Sequence, residues 1–170
     1  HANLVGSETL NLSGTGTIAS KDVGSNKTVT VGTLALADGS NGGLAANYTL
    51  SGHAASSFQI NQRVLSSSGT RTYDGTATAA SSDLTLSNLV GSETLTLSGN
   101  GTLADANVAT NKTVTLNTLT LSDNSGLAAN YTLTGGTHQL TVTQKAVNTS
   151  GTRTYNSTTV VGSGTLTVSG

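Results

Sequence analysis

The feature that most constrains the fold is a long internal repeat. The stretch NLVGSETLNLSGTGTIA beginning at Asn3 returns as NLVGSETLTLSGNGTLA at Asn88, 85 positions later. GLAANYTLSG returns as GLAANYTLTG 83 positions later, and SGTRTYDG at Ser68 returns as SGTRTYNS 82 positions later. A chain that repeats itself at such a period folds as successive copies of one unit. The sequence therefore predicts a tandem array of similar modules.

The matched motifs divide the chain into three parts. Residues 1–68 form a first repeat that lacks its head strand, 69–149 a complete repeat, and 150–170 the start of a third, truncated repeat. The chain begins without Met and shows no export signal, so we expect it to be an internal segment of a longer polypeptide.

The third copy is predicted to differ from the others. We align VVGSGTLTVSG at Val160 with LVGSETLTLSG at Leu89, which leaves residues 78–88 without a counterpart. Residues 150–170, the tail, repeat the GTRTY head segment that the first copy lacks.

We expect the tail to be ordered only when it pairs with β-structure, within the chain or on another copy. So short a piece buries too little to offset backbone ordering, which costs roughly 1–2 kcal/mol per residue.

Each unit shows the two-residue period of β-strands. In ETLTLSG, Leu95 and Leu97 share one face and the threonines between them share the other. Threonine outside and leucine inside are typical of a solvated face over a core face, and Gly-Ser, Gly-Asn and Asp-Gly pairs form tight turns between the strands. We predict an all-β fold of tandem, immunoglobulin-sized β-sandwich repeats. A β-solenoid is the alternative.

Within NKTVTLNTLTLS the inward-facing positions change parity, because Val114 and Leu116 are even-numbered whereas Leu119 and Leu121 are odd-numbered. The first copy changes parity at the equivalent place, around Gly32. A one-residue slip turns every later side chain to the opposite face. We therefore predict a bulge or bend near Asn117 and Gly32, where the chain passes from one sheet to the other. The predicted core is Leu84, Leu86, Leu95, Leu97, Val114, Leu116, Leu119, Leu121, Tyr131, Leu133, Leu140 and Val142.

The low charge and the absence of cysteine exclude several classes of partner and site. Charged residues make up 9% of the chain, the net charge is −1 and cysteine is absent. These values argue against nucleic acid as a partner and against disulfides or thiolate metal sites. No apolar run approaches the ~20 residues of a membrane span. None of His1, His53 and His138 stands beside a serine or acid pattern, and we expect His53 and His138 in loops. We therefore predict neither an enzyme nor a cofactor site.

Two sets of polar residues are candidate sites. The acidic loops at Asp38 and Asp123 each offer one carboxylate, too few for the six to eight oxygens of calcium, so we predict solvated turns. Opposite charges also recur on inward faces, where a charge needs a partner. These residues are Glu8 with Lys27, and Glu93 with Lys112. We expect one of three arrangements. The residues lie at the rim of the sandwich with their charged groups in water, or they form an ion pair there. The third arrangement is a Lys–Asn isopeptide crosslink, with Asn47 or Asn130 as the partner and the glutamate as proton shuttle.

A resemblance rests on the short motifs of the repeat. TYDG at the module head, LVGSETLTLSGNGTLADANVATNKTVT in the middle and GLAANYTL near the end resemble the YDG-type, mostly-β, Gly-rich repeats of giant bacterial exoproteins similar to filamentous haemagglutinins. The third copy departs from the pattern with TYNS. The signature residues are Tyr73, Asp74, Gly75, Asn130, Tyr131, Asn47, Tyr48 and Tyr155.

The resemblance implies a secreted protein at the bacterial cell surface. The leading hypothesis is a structural stalk or matrix repeat of an adhesin or biofilm exoprotein, whose partners are neighbouring repeats of the same protein. One alternative is a filament subunit that assembles with other copies by strand complementation. Another is a module that binds polysaccharide. None of the three involves nucleic acid or membrane insertion.

Overall fold

The computed structural model describes residues 4–50 and 58–170, which are built from β-strands and short turns. The chain divides into two compact units, His1–Arg63 and Val64–Gly170. The helices in the described ranges are 3-10 helices of three residues each: Ala45–Asn47, Ser81–Asp83, Ala128–Asn130 and Ser163–Thr165. The described strands close no barrel, and the all-β prediction is confirmed.

The described part of unit 1 contains short antiparallel strand pairs. Its strands are β1 (Leu10–Ser13), β2 (Thr17–Ile18), β3 (Gly24–Lys27), β4 (Val29–Thr30), β5 (Ala35–Asp38) and β6 (Phe58–Ile60). Strand β1 pairs with β5, β2 with β4, and β3 with β6. None of the described apolar side chains of this unit is fully buried.

Strand β7 (Arg63–Val64) contains the last residue of unit 1 and the first residue of unit 2. The strands of unit 2 are β8 (Ser66–Thr72), β9 (Thr78–Ala80), β10 (Thr85–Ser87), β11 (Leu95–Ser98), β12 (Asn100–Thr102), β13 (Ala109–Thr113), β14 (Thr120–Asp123), β15 (Tyr131–Thr132), β16 (His138–Thr143), β17 (Asn148–Ser150) and β18 (Thr167–Ser169).

A four-stranded sheet organises unit 2, in the order β10-β8-β16-β13. Strands β10 and β13 pair antiparallel with their neighbours, whereas β8 and β16 lie parallel, with Ser67 opposite His138 and Thr72 opposite Thr143. Strands β11 and β14, β9 and β12, and β17 and β18 form further antiparallel pairs. The parallel pair joins the first long strand of the complete repeat to its last.

The core lies in unit 2 and follows the predicted inward faces. Seven of the twelve predicted residues are buried, and the other five are half-buried and pack against them. Leu65, Ala79 and Leu103 complete the buried apolar set. The alternation of leucine and threonine therefore identified the inward face of these unit 2 strands correctly.

The predicted change of face occurs at a tight turn. The Leu119 N–H donates to the Leu116 carbonyl at 2.8 Å, and Asn117 between them has a φ of 42°. Gly32, with a φ of 57°, occupies the same place in unit 1. Strand β13, before the turn, belongs to the four-stranded sheet, and β14, after it, pairs with β11. The bend near Asn117 is confirmed.

A bulge that the sequence analysis missed lies in β13. The pairing with β16 shifts between Ala109 and Lys112, where Asn111 has a φ of 50°. Strand β3 shifts against β6 in the same way, and Asn26 there has a φ of 54°. Asparagine tolerates this left-handed conformation better than most residues, so the NKTV motif carries the signal.

The described strands of unit 1 recur in unit 2 in the same order. Strand β1 pairs with β5 so that Leu12 lies opposite Leu36, and β11 pairs with β14 so that Leu97 lies opposite Leu121. The 3-10 helix after β5 likewise recurs after β14. The prediction that the modules share one fold is confirmed for these residues.

The predicted gap in the third copy is wrong. Strand β17 pairs with β18 so that Ser150 lies opposite Thr167, and β8 pairs with β10 so that Ser68 lies opposite Thr85. A 3-10 helix precedes both β10 and β18. The tail therefore follows unit 2 at a constant offset of 82 with no deletion. The error arose because TLTVSG resembles both TLTLSG in β11 and DLTLSN in β10.

Candidate functional site

The parallel contact between β8 and β16 is the structural centre of unit 2. Hydrogen bonds extend it at both ends: the Ser67 N–H donates to the Thr137 carbonyl at 3.0 Å, and the Tyr73 N–H to the Thr143 carbonyl at 2.8 Å. Leu140 and Val142 in β16 are fully buried. We call this contact, β8 with β16, the junction, because it holds the beginning and end of one repeat together.

A buried serine–histidine pair crosses the junction. Ser67 Oγ lies 2.9 Å from His138 Nδ1, and His138 Nε2 lies 2.8 Å from the Leu133 carbonyl oxygen. A carbonyl only accepts, so Nε2 carries the proton that it donates, and Nδ1 shares its hydrogen bond with the Ser67 hydroxyl. Both side chains are buried, so the pair links strands inside the core rather than lining an open cleft.

The loop prediction for His138 is wrong, because it lies in strand β16. Its polar ring is satisfied by Ser67 and a carbonyl, which is what allows it to occupy an inward position. His1 and His53 lie outside the described residues.

The TYDG motif builds a turn. Asp74 Oδ1 accepts hydrogen bonds from the Thr76 N–H at 2.8 Å and the Thr76 hydroxyl at 2.9 Å. Arg71 forms an ion pair with Asp74 and donates to the Thr76 carbonyl. Gly75 has a φ of 83°, a conformation that favours glycine. The backbone hydrogen bond from Thr76, and then the Thr76 hydroxyl and Arg71, hold the pKa of Asp74 below its ordinary value.

The TYNS motif of the tail builds the same turn. Asn156 Oδ1 accepts from the Thr158 hydroxyl at 3.0 Å and from its N–H at 3.3 Å. Arg153 donates to the Thr158 hydroxyl at 3.1 Å, and Ser157 has a φ of 59°. The side chains of Tyr73 and Tyr155 are exposed. Asp and Asn are therefore interchangeable as caps of this turn, although only Asp adds an ion pair.

A second repeated contact joins a glutamate to a tyrosine. The Tyr131 hydroxyl donates to Glu93 Oε2 at 2.5 Å and accepts from the Val90 N–H at 3.2 Å. In unit 1 the Tyr48 hydroxyl donates to Glu8 Oε2 at 2.5 Å. The carboxylate beside it raises the pKa of the Tyr48 hydroxyl above its ordinary value. This pair binds the LVGSET segment to the NYTL segment in both units.

The lysines bind elsewhere, so the predicted glutamate–lysine ion pair is not formed. Lys112 Nζ donates to Asp105 Oδ1 at 2.5 Å and to the carbonyls of Asp105 and Asn107 at 2.8 Å. The hydrogen bond from Lys112 is the main cause that lowers the pKa of Asp105. Lys27 donates to the Ser20 carbonyl at 3.3 Å.

The isopeptide hypothesis loses its geometric basis for the same reason. The Lys112 ammonium is held by Asp105 and Asn107 rather than by an asparagine of the NYTL segment. Asn47 and Asn130 are the last residues of the two equivalent 3-10 helices.

The acidic loops contain caps that the sequence analysis missed. Asp38 Oδ1 accepts from the Ala45 N–H, and Asp123 Oδ1 from the Ala128 N–H, both at 2.7 Å. Each carboxylate satisfies a backbone donor at the start of a 3-10 helix. Within residues 4–50 and 58–170, no group of three or more His, Cys, Asp or Glu is arranged to hold a metal ion. No helix in those ranges is long and apolar enough to cross a membrane.

Two consecutive stretches that carry these repeated contacts, residues 1–57 and 59–139, match the YDG domain. The chain belongs to the YDG domain family. No curated protein matches the chain. No solved structure matches it either.

This match corrects the family expected from the sequence. The YDG domain is known as the SRA/YDG domain of plant and eukaryotic proteins and is not evidently a filamentous-haemagglutinin-like bacterial repeat. The assignment to that group of exoproteins is therefore wrong. The short motifs were not sufficient to assign the family, and the structure shows why. TYDG forms a turn and GLAANYTL forms a capped 3-10 helix. Both are local backbone features that do not depend on the kind of protein that contains them.

Proposed function

We propose that this YDG-domain chain has a mechanical function: each repeat resists tension in an extended extracellular stalk or matrix. The observation that carries the proposal is the parallel pairing of β8 with β16. Tension on an array enters β8 from residue 64 and leaves β16 after residue 143. The two strands that receive the force are therefore the two that lie side by side in the junction.

The direction of the strands determines how the junction is loaded. Strand β8 is pulled at its Ser66 end and β16 at its Thr143 end, and in a parallel pair these ends lie at opposite ends of the ladder. The force then shears the interstrand hydrogen bonds together instead of opening them one after another. Antiparallel terminal strands pulled in the same way would separate bond by bond.

We further propose that the complete repeat is a two-layered sandwich. One layer would be the sheet β10-β8-β16-β13, and the other the pairs β11–β14 and β9–β12, with the leucine core between them. Mostly antiparallel pairing supports this arrangement. A β-solenoid would instead stack short coils through parallel pairing, so it is supported less well.

The repeated tyrosines favour a mechanical over a glycan-binding function. The hydroxyls of Tyr48 and Tyr131 bind glutamates at equivalent places in the two units, so they serve each unit's own structure. The absence of cysteine and the threonine-rich outer faces suit an extracellular repeat that folds without disulfides. Adhesin and biofilm functions stay predictions.

The test is force spectroscopy in two loading directions, which a cysteine-free chain makes straightforward. Handles attached through Val64→Cys and Lys145→Cys shear the junction. Handles attached through Thr72→Cys and Lys145→Cys load adjacent ends of β8 and β16 and peel them apart. We expect the first pair to unfold at clearly higher force at the same loading rate, because forced unfolding follows the unfolding barrier. Equal forces in the two directions would refute the mechanical function.

A further inference from the structure

The chain contains eight Asn-X-Ser/Thr sequons, the sequence to which N-linked glycans are attached. In a chain so rich in asparagine and threonine, the sequence alone does not distinguish between them. The structure does, because an acceptor site in a folded chain needs an exposed asparagine amide and an available hydroxyl two residues later. The contacts of these two side chains separate the sequons into two groups.

In the first group the side chains are already bound within the chain. The Asn11 amide donates to the Asp38 carbonyl at 2.8 Å, and the Asn156 side-chain oxygen accepts from the Thr158 hydroxyl at 3.0 Å. The third residue of each remaining sequon in this group also has a partner: Thr49, Thr102, Thr132 and Ser150. A glycosyltransferase would have to break these contacts to reach the acceptor.

The second group contains Asn26 and Asn111, which occupy the same place in the two units. Both stand in the sequence NKT, and both are exposed. Within the part of the chain that the structure describes, neither side-chain amide forms a hydrogen bond, and neither do the hydroxyls of Thr28 and Thr113 two residues later. Both halves of the acceptor group are therefore available at these two sequons.

The β-bulge in β13 accounts for the exposed amide. Thr110 and Asn111 together lie opposite the single residue Thr141 of β16, and the extra residue of a bulge stands outside the regular ladder. The φ of 50° at Asn111 favours asparagine or glycine. It makes no demand on the residue two positions later, so backbone geometry alone does not explain Thr113.

We propose that Asn111 and Asn26 are N-glycosylation sites. Nδ2 of the asparagine forms a bond to the anomeric carbon of an activated sugar, the diphosphate of its nucleotide or lipid carrier leaves, and the amide gives up one proton. The inference rests on the proposed function in one respect, since it requires an exported chain. Strand β13 is the last strand of the four-stranded sheet, so the glycan extends from its exposed bulge without displacing β8 or β16.

The first experiment measures glycan occupancy on the protein isolated from its own source, by mass spectrometry of glycopeptides. The protease must not cut at lysine, because Lys27 and Lys112 lie inside the two sequons. We expect glycan on Asn26 and Asn111. An exported protein that is bare at both asparagines overturns the inference and leaves the mechanical function standing. A protein that is neither exported nor glycosylated overturns both.

The second experiment tests the structural argument on the folded chain, purified without glycans. The probe is UDP-glucose with a soluble asparagine N-glucosyltransferase, and short peptides of each sequon give the rates that sequence alone sets. We expect folding to leave the rate at Asn111 nearly unchanged. At Asn11 it should fall about tenfold or more, because the Asn11 amide and the Ser13 hydroxyl must first release their partners. Equal reductions at the two sites contradict the inference.

Two valine substitutions provide matched controls in the folded chain. Thr113→Val removes the hydroxyl of the sequon without altering Asn111, and it should abolish the reaction there while Asn26 in the same molecule still reacts. Thr115→Val changes an equally exposed threonine that belongs to no sequon, and it should leave the rate at Asn111 unchanged. Equal rates at Asn111 in the two variants overturn the proposal, because the reaction would then not depend on the sequon.

Discussion

Gly69 lies opposite Leu140 across the junction, and a methyl group at Gly69 would overlap the backbone carbonyl of Asp83. We therefore expect Gly69→Ala to destabilise unit 2 by about 1–3 kcal/mol, because β8 would have to move away from the 3-10 helix that ends at Asp83. Denaturant unfolding followed by circular dichroism measures the change as a lower midpoint at an unchanged slope.

Gly164→Ala is the control for that substitution. A Cβ at Gly164 meets no atom within 4 Å, so we expect the free energy of unfolding to change by no more than about 0.5 kcal/mol. An unchanged midpoint for Gly69→Ala would mean that the close approach between β8 and the Asp83 carbonyl does not exist in solution.

Removal of the Ser67 hydroxyl should destabilise the junction. In Ser67→Ala, the buried Nδ1 of His138 loses its hydrogen-bond partner, and an unsatisfied buried polar group costs about 1–3 kcal/mol. Ser68→Ala, next to it in β8 but exposed, provides the control and should stay close to the parent chain. Equal effects of the two substitutions on the free energy of unfolding would show that the serine–histidine contact contributes nothing.

The Tyr48–Glu8 pair predicts a loss of stability at alkaline pH. The pKa of Tyr48 is raised above 10.0 in the folded chain, mainly by its hydrogen bond to Glu8, so the folded state holds the proton more tightly than the unfolded state. The contribution of the pair is therefore complete below pH 10.0 and is lost as the pH rises through the folded pKa.

Ultraviolet titration of tyrosinate measures this directly. Subtracting the curve of Tyr48→Phe from that of the parent chain isolates the Tyr48 transition, which we expect at higher pH than in a Glu8→Gln variant. Coincident transitions with and without the Glu8 carboxylate would exclude the pair as the cause.

Asp74 predicts the opposite behaviour, at acidic pH. Its folded pKa lies below the ordinary 3.8, so its contribution to stability is complete above that value and is lost as the pH falls through the folded pKa. Asp74→Asn keeps the cap, as Asn156 does in the tail, but removes the ion pair with Arg71. We expect thermal unfolding of this variant to depend less on pH in the acidic range.

The control for the turn itself is Asp74→Ala, which removes both hydrogen bonds to Thr76. It should be less stable than Asp74→Asn at neutral pH. A steeper acid dependence in Asp74→Asn than in the parent chain would contradict the assignment of the lowered pKa to this turn.

Local patterns in the sequence predicted local features correctly. The face that each strand buries follows from residues two positions apart, because successive side chains of a strand point to opposite sides. The change of parity between Leu116 and Leu119 therefore predicts the turn at Asn117 without reference to strand pairing. The repeat of whole motifs likewise predicted that the same strands recur in both units.

The partners of those residues depended on the tertiary structure. Glu93 meets Tyr131 and Lys112 meets Asp105, although the sequence placed Glu93 and Lys112 on the same inward faces. Opposite charges attract whichever partner lies nearest, and strand pairing rather than spacing along the chain decides which one that is. Sequence similarity also assigned β18 to the position of β11, whereas its pairing shows that it corresponds to β10. The error arose because TLTVSG resembles both strands.

The sequence by itself therefore determined that the chain is all-β, that it repeats, and which side chains turn inward, since these depend on neighbours a few residues apart. Only the tertiary structure decided that β8 and β16, some 70 residues apart, lie side by side and parallel. No local period encodes that choice, because the backbone groups of a strand hydrogen-bond equally well to any suitable neighbour. The packing of Leu140 over Gly69 and the bond from Ser67 to His138 select one partner and one register.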